Sequence, residues 1–371
     1  MRLGFVLEQV LSPVPGGTGR YAVQLAAALA AREGVTVSTW TAWHRAVGPA
    51  HVEGADGPHQ LPLPRRPLTE VWAHGAGPAP RGVDLVHAPT LLLPPRRRRP
   101  LVVTVHDAVP WTHPETLTPR GVRWHRAMAE RAARTADAIV APSEATASLL
   151  VEHLGLSRRP DVVPLGATPL PVPEDAALRA KALGLPAGGY VLSLATMEPR
   201  KGLDVLVRAL AQRSAPDLPL LLVGAPGWGG VDPVTLATEM GLPAGRLRVL
   251  GRLDDADLAV VLSAATVLAV PSRAEGFGLP VLEGMVAGVP VVTSEDPALR
   301  ELGGDAVVSA ATGDPDALAV ALAQVCDDPG LRTRLVRAGS VRAASYTWAR
   351  CAAGHEEIYR RACSSSSSPS R

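Results

Sequence analysis

The sequence predicts an α/β protein built from two Rossmann-like domains that face each other across a cleft. The chain has 371 residues, which suits two domains at roughly 150 residues each. Short Val- and Leu-rich runs alternate with Ala-rich amphipathic stretches, a pattern typical of βαβ units around a parallel sheet. The alternation occurs in two series, one before residue 160 and one after residue 190.

The first series predicts an N-terminal domain over residues 1–167, with strands such as LVVTV at 101–105. The Pro-rich stretch that follows predicts a linker, and the second series predicts a C-terminal domain over 175–345. Open parallel sheets bind ligands at the carboxyl ends of their strands, so the cleft between the domains is the expected ligand site.

The C-terminal segment predicts a helix over residues 346–363, because Trp348, Ile358 and Tyr359 share helical spacing. Residues 364–371, SSSSSPSR, have low complexity and predict a disordered tail.

Composition excludes several classes of protein. A formal net charge of +2 argues against a dedicated nucleic-acid binder. Apolar runs stop short of the roughly 18 residues that a membrane-spanning helix requires. The N-terminal residues lack the features of a signal peptide, which predicts a cytoplasmic protein. The three cysteines match no zinc or redox motif.

The first candidate site is a glycine-rich turn, PGGTGRYAVQLAAAL at 15–29, that opens a helix. Its backbone N–H groups, at Gly16 and Gly17, suit a phosphate. The turn also fits the dinucleotide fingerprint of an oxidoreductase. However, eight residues separate it from the preceding strand, and the strand VTVSTW ends without the acidic residue that holds a ribose. A purely structural turn is the other alternative.

The second candidate site is MEPRKGLDVLVRAL at 197–210, where a strand runs into a loop and then a helix. Arg200 and Lys201 can clamp a diphosphate beside free backbone N–H groups. A solvated basic loop is the alternative.

The third candidate site is the segment PSRAEGFGLPVLEGMVAGVPVV at 271–292. Glu275 precedes a glycine loop and a helix start, and Glu283 follows eight residues later, so both carboxylates are expected to face the cleft. Carboxylates suit the hydroxyls of a sugar or ribose. The N–H groups of the loop suit phosphate or sugar oxygens, and the residues that supply them are Gly276, Phe277, Gly278 and Leu279. The alternative is a helix cap with an ordinary surface glutamate.

The fourth candidate site is TVHDAVPWTHPE at 104–115, where His106 is expected to hydrogen-bond a substrate. A structural histidine is one alternative. A metal site with His87 and His113 is another, although the spacing matches no known pattern.

A run of four arginines, Arg96, Arg97, Arg98 and Arg99, precedes the strand LVVTV. Each could contribute about 1 kcal/mol of binding to anionic lipid headgroups. A solvated loop is the alternative.

Together, EGFGLP followed by Glu283 and the preceding EPRKG loop resemble family 4 of the glycosyltransferases, the retaining enzymes with a two-Rossmann-domain B fold. The resemblance covers nearly the whole chain, including VHDAVPWTHPE, APSEATA, LGRLDDADLAVVLSAA and the final YTWARCAAGHEEIYR. In that family, the last helix crosses back to the N-terminal domain.

The resemblance implies that Arg200 and Lys201 hold the nucleotide diphosphate and stabilise the leaving group without a divalent metal. Many relatives carry an arginine where Ala195 and Thr196 stand here. Glu275 and the glycine loop would meet the donor sugar and phosphate, and Glu283 the ribose. Gly16 and Gly17 would approach the diphosphate, with His106 near the donor sugar.

The variants of these motifs are most like those of mannosyltransferases of polysaccharide and O-antigen assembly, which favours GDP-mannose as the donor. The implied reaction transfers the sugar to a hydroxyl of a glycan, a lipid-linked acceptor or a small molecule. A lipid-linked acceptor would fit peripheral membrane contact through the arginine run. A sugar phosphorylase and a non-catalytic sugar-nucleotide sensor are the competing interpretations.

Overall fold

The computed structural model describes residues 1–366, which form two compact units. Unit 1 comprises residues 1–111, 119–166 and 347–366, and unit 2 comprises residues 112–118 and 167–346. The chain therefore leaves unit 1 after Gly166 and returns to it at Thr347.

Residues 112–118, predicted as part of the N-terminal domain, belong instead to unit 2. The Trp228 indole Nε1 donates a hydrogen bond to the backbone oxygen of Thr116 at 2.9 Å. The charge of Glu115 also acts on Arg273. These contacts join residues distant in sequence, so the local pattern of residues 112–118 does not reveal them. The predicted linker, residues 168–174, also lies in unit 2.

The strands of unit 1 are β1 (Arg2–Val6), β2 (Thr36–Trp43), β3 (Asp56–Pro64), β4 (Leu85–Ala88), β5 (Leu101–Thr104), β6 (Ala138–Ala141) and β7 (Asp161–Val162). They form a parallel sheet in the order β3-β2-β1-β4-β5-β6-β7. Every residue of β4 and β5 is buried. Such continuous apolar strands are typical of parallel sheets covered on both faces.

The strands of unit 2 are β8 (Val191–Leu194), β9 (Leu220–Val223), β10 (Leu247–Gly251), β11 (Val267–Val270), β12 (Val291–Ser294) and β13 (Val307–Ala310). They form a second parallel sheet in the order β10-β9-β8-β11-β12-β13. The strand order reverses between β8 and β11, and ligands bind at such a switch point in open α/β sheets. The predicted fold class, two parallel-sheet α/β domains, is confirmed.

The helices, in chain order, are α1 (Gly16–Ala30), α2 (Arg65–Ala73), α3 (Val109–Thr112), α4 (Pro119–Thr135), α5 (Glu144–Leu154), α6 (Ala176–Ala182), α7 (Leu203–Leu210), α8 (Pro233–Glu239), α9 (Asp255–Ser263), α10 (Leu279–Val286), α11 (Pro297–Gly303), α12 (Pro315–Asp327), α13 (Pro329–Ala343) and α14 (Trp348–Ser366). Short 3₁₀ turns span Glu8–Leu11, Gly48–Ala50, Pro114–Thr116, Pro199–Lys201 and Gly304–Ala306. Each unit has its own apolar core between the sheet and the helices.

A chain of buried hydrogen bonds attaches α14 to α1, β4 and β5 inside unit 1. Its distances are 2.7 Å from Tyr359 Oη to His87 Nδ1, 2.9 Å from His87 Nε2 to Thr104 Oγ1, 3.0 Å from Thr104 Oγ1 to Tyr21 Oη, and 3.0 Å from Tyr21 Oη to His355 Nε2. All five side chains belong to residues that are at most 1% exposed. Buried polar groups need such partners, because leaving one unpaired is costly.

The direction of every bond in this chain follows from its last member. His355 Nδ1 lies 2.9 Å from the backbone oxygen of Cys351, so Nδ1 must donate. Burial lowers the pKa of His355 to about 4, which keeps the ring neutral and makes Nε2 an acceptor for the Tyr21 hydroxyl. Thr104 must then donate to Tyr21, His87 to Thr104, and Tyr359 to His87. Burial also lowers the pKa of His87, so the chain is a one-way series of neutral donors.

Helix α14 extends beyond its predicted end at residue 363. The hydroxyls of Ser364 and Ser365 donate to the backbone oxygens of Arg360 and Arg361 at 2.9 and 3.0 Å. Serines that were expected in the disordered tail therefore continue the helix as far as Ser366. Residues 367–371, the rest of that predicted tail, lie outside the described residues. Among the helices described, none is long and apolar enough to cross a membrane.

Candidate functional site

The loop after β8 is shaped by a glycine. Gly202 has φ +64°, and a Cβ there would lie 2.1 Å from the backbone oxygen of Pro271. Only glycine fits such a conformation and such a close approach. The turn Pro199–Lys201 therefore lies directly against the loop that follows β11.

The two loops leave the same edge of the sheet because β8 and β11 are neighbours. The backbone N–H of Arg273 donates to the backbone oxygen of Arg200 at 2.8 Å. The Arg273 guanidinium binds both carboxylate oxygens of Asp204, in the first turn of α7, at 2.6 and 2.7 Å. This paired contact fixes the second loop on the first.

Three of the four predicted catalytic residues meet at this junction. Lys201 Nζ lies 2.6 Å from Oε1 of Glu275, and Arg200 Nη1 lies 2.9 Å from Oε2. The Glu275 side chain is 8% exposed, against 14% for Lys201 and 17% for Arg200. We call Arg200, Lys201 and Glu275 the ionic cluster.

The ionic cluster is held by further partners. The Ser272 hydroxyl donates to Glu275 Oε1 at 2.7 Å. Arg200 Nη2 donates to Glu198, whose side chain is 3% exposed, at 2.7 Å. Burial acts to raise the pKa of Glu275, but the charges of Lys201 and Arg200 outweigh it and hold this pKa at about 2. The carboxylate is therefore ionised at any physiological pH.

Lys201 is the cation best placed to meet a ligand. The one side-chain hydrogen bond that it makes to the described residues, to Glu275, uses one of the three N–H donors of its ammonium group. The Arg200 guanidinium, in contrast, donates to Glu198, Glu275 and the backbone oxygen of Ala274. Arg200 is thus committed largely to holding the site together.

In the part of the chain that the structure describes, two helices that begin beside the ionic cluster lack a capping side chain, as α6 of unit 2 also does. Within residues 1–366, no side chain caps the start of α7 or α10, which follow Gly202 and Gly278 in left-handed conformation. Five other helices of unit 2 are capped by aspartate side chains, at Asp232, Asp254, Asp296, Asp314 and Asp328. An uncapped helix start presents N–H groups and a positive dipole end, which suit an anion.

Asp296 is a site residue that sequence reasoning missed. Its Oδ2 accepts the backbone N–H of Glu275 at 3.2 Å, while Oδ1 accepts the N–H groups of Ala298 and Leu299 at 3.0 and 3.1 Å. Burial raises the pKa of Asp296 to about 6, and the Glu275 charge adds to the increase. The pattern Asp-Pro after a strand signals a helix cap, but not the contact with Glu275.

The predicted loop residues take different positions around α10. Phe277 is 6% exposed, and its ring packs edge-on against Tyr346 with centroids 5.9 Å apart, so its side chain belongs to the core. Gly276 and Gly278 are buried, and Leu279 is the first residue of α10. Glu283 is partly buried in the second turn of α10.

The remaining predicted site residues lie in unit 1. Gly16 and Gly17 are exposed at the start of α1, which no side chain in the described part of the chain caps. His106 Nε2 lies 2.7 Å from the backbone oxygen of Pro89, and its ring meets Tyr21 edge-on at 4.7 Å. Burial lowers the pKa of His106, so the neutral ring donates from Nε2 and leaves Nδ1 as an acceptor.

The metal site considered at His87, His106 and His113 is not formed. Both ring nitrogens of His87 are hydrogen-bonded, and Nε2 of His106 is hydrogen-bonded to the backbone oxygen of Pro89. Over residues 1–366, no group of three or more His, Cys, Asp or Glu side chains is placed to hold a metal ion.

Three of the four arginines in the run form hydrogen bonds or an ion pair with other residues of unit 1. Arg96 pairs with Asp137 at 2.8 Å, and Arg97 and Arg99 donate to the backbone oxygens of Gly77 and Pro80 at 3.0 and 3.4 Å. Arg98 is exposed.

Comparison with known proteins identifies relatives of both halves of the chain. The family described as "Glycosyl transferases group 1" matches residues 179–342, and "Glycosyltransferase Family 4" matches residues 15–169. The O-antigen chain mannosyltransferase B of Escherichia coli is 32% identical over 72% of this chain and 71% of its own length. The D-inositol 3-phosphate glycosyltransferase of Kineococcus radiotolerans is 32% identical over 94% of this chain and 91% of its own.

Solved structures share the fold. Sucrose-phosphate synthase from Thermosynechococcus elongatus matches with a TM-score of 0.78 at 23% identity, covering 98% of this chain and 100% of that one. HepE from Anabaena, solved in complex with UDP and glucose, matches with a TM-score of 0.73 at 22% identity, covering 97% and 99%.

Proposed function

The chain belongs to glycosyltransferase family 4, and from this membership we propose that it transfers a sugar from a nucleotide diphosphate sugar, GDP-mannose in the first instance, to an acceptor hydroxyl with retention at the anomeric carbon. The chain is thus a glycosyltransferase. The proposal adds the donor, the acceptor and the stereochemistry of the transfer.

The observation that carries the proposal is the ionic cluster at the carboxyl ends of β8 and β11, beside two uncapped helix starts. A nucleotide diphosphate requires cations and N–H donors arranged together, and this edge of unit 2 supplies both. Lys201 would bind the diphosphate, and Glu283 would bind the ribose hydroxyls. Arg200 would position the side chain of Glu275, and through it that of Lys201.

The proposed catalysis is electrostatic. As the bond from the anomeric carbon to the phosphate oxygen breaks, negative charge develops on the departing diphosphate, and Lys201 together with the starts of α7 and α10 stabilises it. Because these fixed charges serve the leaving group, the proposed reaction needs no divalent metal. The acceptor hydroxyl attacks from the same face, and its proton passes to the departing phosphate.

The family resemblance also gives proposed roles to residues of unit 1. His106, whose Nδ1 is an acceptor, would contact a hydroxyl of the donor sugar, and Gly16 and Gly17 at the uncapped start of α1 would offer N–H groups to the diphosphate. The O-antigen enzyme among the relatives is named a mannosyltransferase, which supports GDP-mannose as the first donor to test.

The acceptor is proposed to be a glycan, a lipid-linked molecule or a small molecule, used by a cytoplasmic enzyme that can contact the inner face of the membrane. The test is sedimentation with vesicles containing anionic lipid, comparing wild type with a variant in which Arg96, Arg97, Arg98 and Arg99 are serine. Equal sedimentation of wild type and variant would show that the arginine run does not contact the membrane.

The first experiment on the enzyme is thermal shift against UDP, GDP, ADP and TDP and their sugars, with EDTA present. A ligand at 100 times its Kd adds about 2.7 kcal/mol of stability, which a melting curve resolves easily. Stabilisation by one base class, followed by release of the matching nucleoside diphosphate when acceptors are added, is the expected result.

Other outcomes point to other functions. Phosphorolysis of a glycoside by free phosphate, without any nucleotide effect, would indicate a phosphorylase. Nucleotide-sugar binding with no diphosphate released on any acceptor would indicate a sensor. A shift that disappears in EDTA and returns with Mg²⁺ would contradict metal independence.

A further inference from the structure

Glu198 is a buried carboxylate beside the ionic cluster, and the catalysis proposed above does not use it. It lies in the loop after β8, its side chain is 3% exposed, and its Oε1 accepts a hydrogen bond from Arg200 Nη2 at 2.7 Å. Burying a charged carboxylate is costly even when it is paired, so an ion pair of this kind is weak evidence of a contribution to stability. The place of Glu198 therefore calls for another explanation.

The backbone on both sides of Glu198 is held by contacts that do not involve its carboxylate. Before it, the N–H of Met197 donates to the backbone oxygen of Ala225, in the loop after β9, at 3.1 Å. After it, Pro199 lies so close to Gly229 that a Cβ on this glycine would be 2.4 Å from Pro199 Cγ. The path of the loop therefore does not depend on the carboxylate of Glu198.

The Arg200 guanidinium is held between two carboxylates. Its Nη2 donates to Glu198, while its Nη1 donates to Glu275 at 2.9 Å and to the backbone oxygen of Ala274 at 3.0 Å. A guanidinium fixed at both ends cannot turn towards an anion without breaking one of these charge-assisted bonds. Lys201, in contrast, uses one donor of its ammonium group on Glu275 and keeps the others for a ligand.

The charges of these side chains are balanced. The cations of Arg200 and Lys201 face the carboxylates of Glu198 and Glu275, so the four side chains together offer no excess positive charge to a diphosphate. Binding energy that serves donor and product equally does not speed the transfer. A further free cation would thus hold the diphosphate product without helping to form it.

We propose that Glu198 is a positioning residue that keeps the Arg200 guanidinium on Glu275 and away from the diphosphate, and so limits how tightly the nucleotide is held. The inference rests on the proposed transfer from a nucleotide diphosphate sugar and adds a residue that controls release of the product. Glu198 acts through Arg200 and does not touch the ligand. When the charge of Glu198 is removed, Arg200 is free to turn towards the diphosphate and retain it.

The test is the substitution Glu198→Gln, which keeps the size of the side chain and removes its charge. Calorimetry measures binding of GDP and of inorganic pyrophosphate to the full chain, and surface plasmon resonance measures the dissociation rate of GDP. We expect the Kd of both ligands to fall about threefold to tenfold, because a cation is released beside the ligand. Most of the change should be slower dissociation. A residue that only stabilised the loop would weaken binding when replaced, or leave it unchanged.

Further variants show whether the gain comes through Arg200. Glu198→Gln combined with Arg200→Gln should bind no more tightly than Arg200→Gln alone. Glu239→Gln is the matched control, because it removes the same charge from an exposed position at the end of α8 in unit 2. If the melting temperature shows that Glu198→Gln is unfolded, Glu198→Asp replaces it. Its carboxylate is one methylene farther from Arg200, and both Kd values should still fall, by about twofold.

Each outcome decides the question. Tighter binding of both ligands that depends on Arg200 supports the inference. An unchanged or higher Kd in Glu198→Gln, the same gain in Glu239→Gln, or a gain that persists without Arg200 overturns it. If pyrophosphate binding tightens through Arg200 but wild type binds no nucleoside diphosphate, the proposed function fails while the role of Glu198 stands. If wild type binds neither pyrophosphate nor a nucleoside diphosphate, both fail.

Discussion

Two polar clusters, one in each unit, solve the problem of burying polar side chains in opposite ways. In unit 2, the ionic cluster joins full charges, and its cations keep 14–17% of their side chains exposed. In unit 1, the one-way chain from Tyr359 to His355 joins neutral groups that are at most 1% exposed. Charges held at the surface of a loop can serve a ligand, whereas neutral groups sealed inside a core can only hold elements together.

Substitution of Lys201 tests most directly whether the ionic cluster serves a ligand. We expect Lys201→Ala to lower kcat/KM by roughly 10²- to 10³-fold, because the donor proposed to stabilise the leaving diphosphate is lost. Donor affinity should fall as well. Steady-state kinetics and nucleotide titration measure both.

The chain contains a matched control for this change. Lys181, the only other lysine, is exposed in α6. Lys181→Ala should behave as wild type. If Lys201→Ala does too, the diphosphate contact assigned to Lys201 is wrong.

The two glutamates should separate turnover from binding. Glu275→Ala removes a charge that Arg200 and Lys201 neutralise, so the site becomes more positive and still binds an anionic nucleotide. We expect kcat to fall roughly 10²-fold while the Kd of the nucleotide changes little. Glu283→Ala should instead weaken nucleotide binding more than turnover. Identical changes in kcat and in the nucleotide Kd for the two variants would contradict the separate roles proposed for Glu275 and Glu283.

Lowering the pH should reduce the contribution of His355 to the stability of unit 1 and increase that of Asp296 to the stability of unit 2. The pKa of His355 is about 4 in the folded chain, below the ordinary value of 6.5. The unfolded chain therefore binds more protons between these values, and the contribution of His355 to stability falls as pH drops from 6.5 towards 4, by roughly 3 kcal/mol. The pKa of Asp296 is about 6, above the ordinary 3.8. Its contribution is greatest below pH 3.8 and is lost as pH rises through 6.

Hydrogen exchange at pH 7 and at pH 4.5, corrected for intrinsic rates, tests this opposition. We expect α14 and the first turns of α1 to lose protection at pH 4.5, while residues 296–299 keep or gain it. The ion pairs of Glu275, whose pKa is about 2, stay formed in this range. Equal loss in both units would show that the buried histidines do not control the acid response.

The smallest effect is expected at Asp296. Asn in its place still caps α11 through its carbonyl oxygen, but its NH₂ group would face the backbone N–H of Glu275. We expect Asp296→Asn to lower kcat by about threefold to tenfold at pH 7, since one hydrogen bond is lost. The wild-type rate should also fall below pH 6 as Asp296 is protonated beside Glu275, Arg200 and Lys201.

A pH–rate profile from 5 to 8 distinguishes positioning from capping. The rate of the wild type should fall below pH 6, whereas the rate of Asp296→Asn should not. A variant with the wild-type rate and profile would mean that Asp296 serves only as a helix cap.

Sequence alone predicts much of unit 2's site because its signals are local. Each strand that ends in a glycine loop before a helix marks a binding edge, so Lys201 and Glu275 can be selected individually. Their contact cannot be predicted, since 74 residues separate them and only the pairing of β8 with β11 brings them together. The same holds for Asp296, whose local pattern indicates a cap and nothing more.

The polar chain of unit 1 leaves no comparable local signal. Tyr21 and Tyr359 fit the apolar faces of two helices and read as core residues. His87 and Thr104 lie inside short strands, where a polar residue has no preferred partner in the sequence. Only the packing of α14 against α1 shows that these groups form one series.

The Tyr21–His355 bond also sets an order of events during synthesis. The two partners are 334 positions apart, so the ribosome must make all of unit 2 before unit 1 can close its last hydrogen bonds. Domains emerging from the ribosome normally fold from the N-terminus onward. Here the first unit to emerge is the last to be completed. A nascent chain stopped before residue 348 would expose the α1 surface, with Tyr21 lacking its His355 partner, to chaperones and proteases.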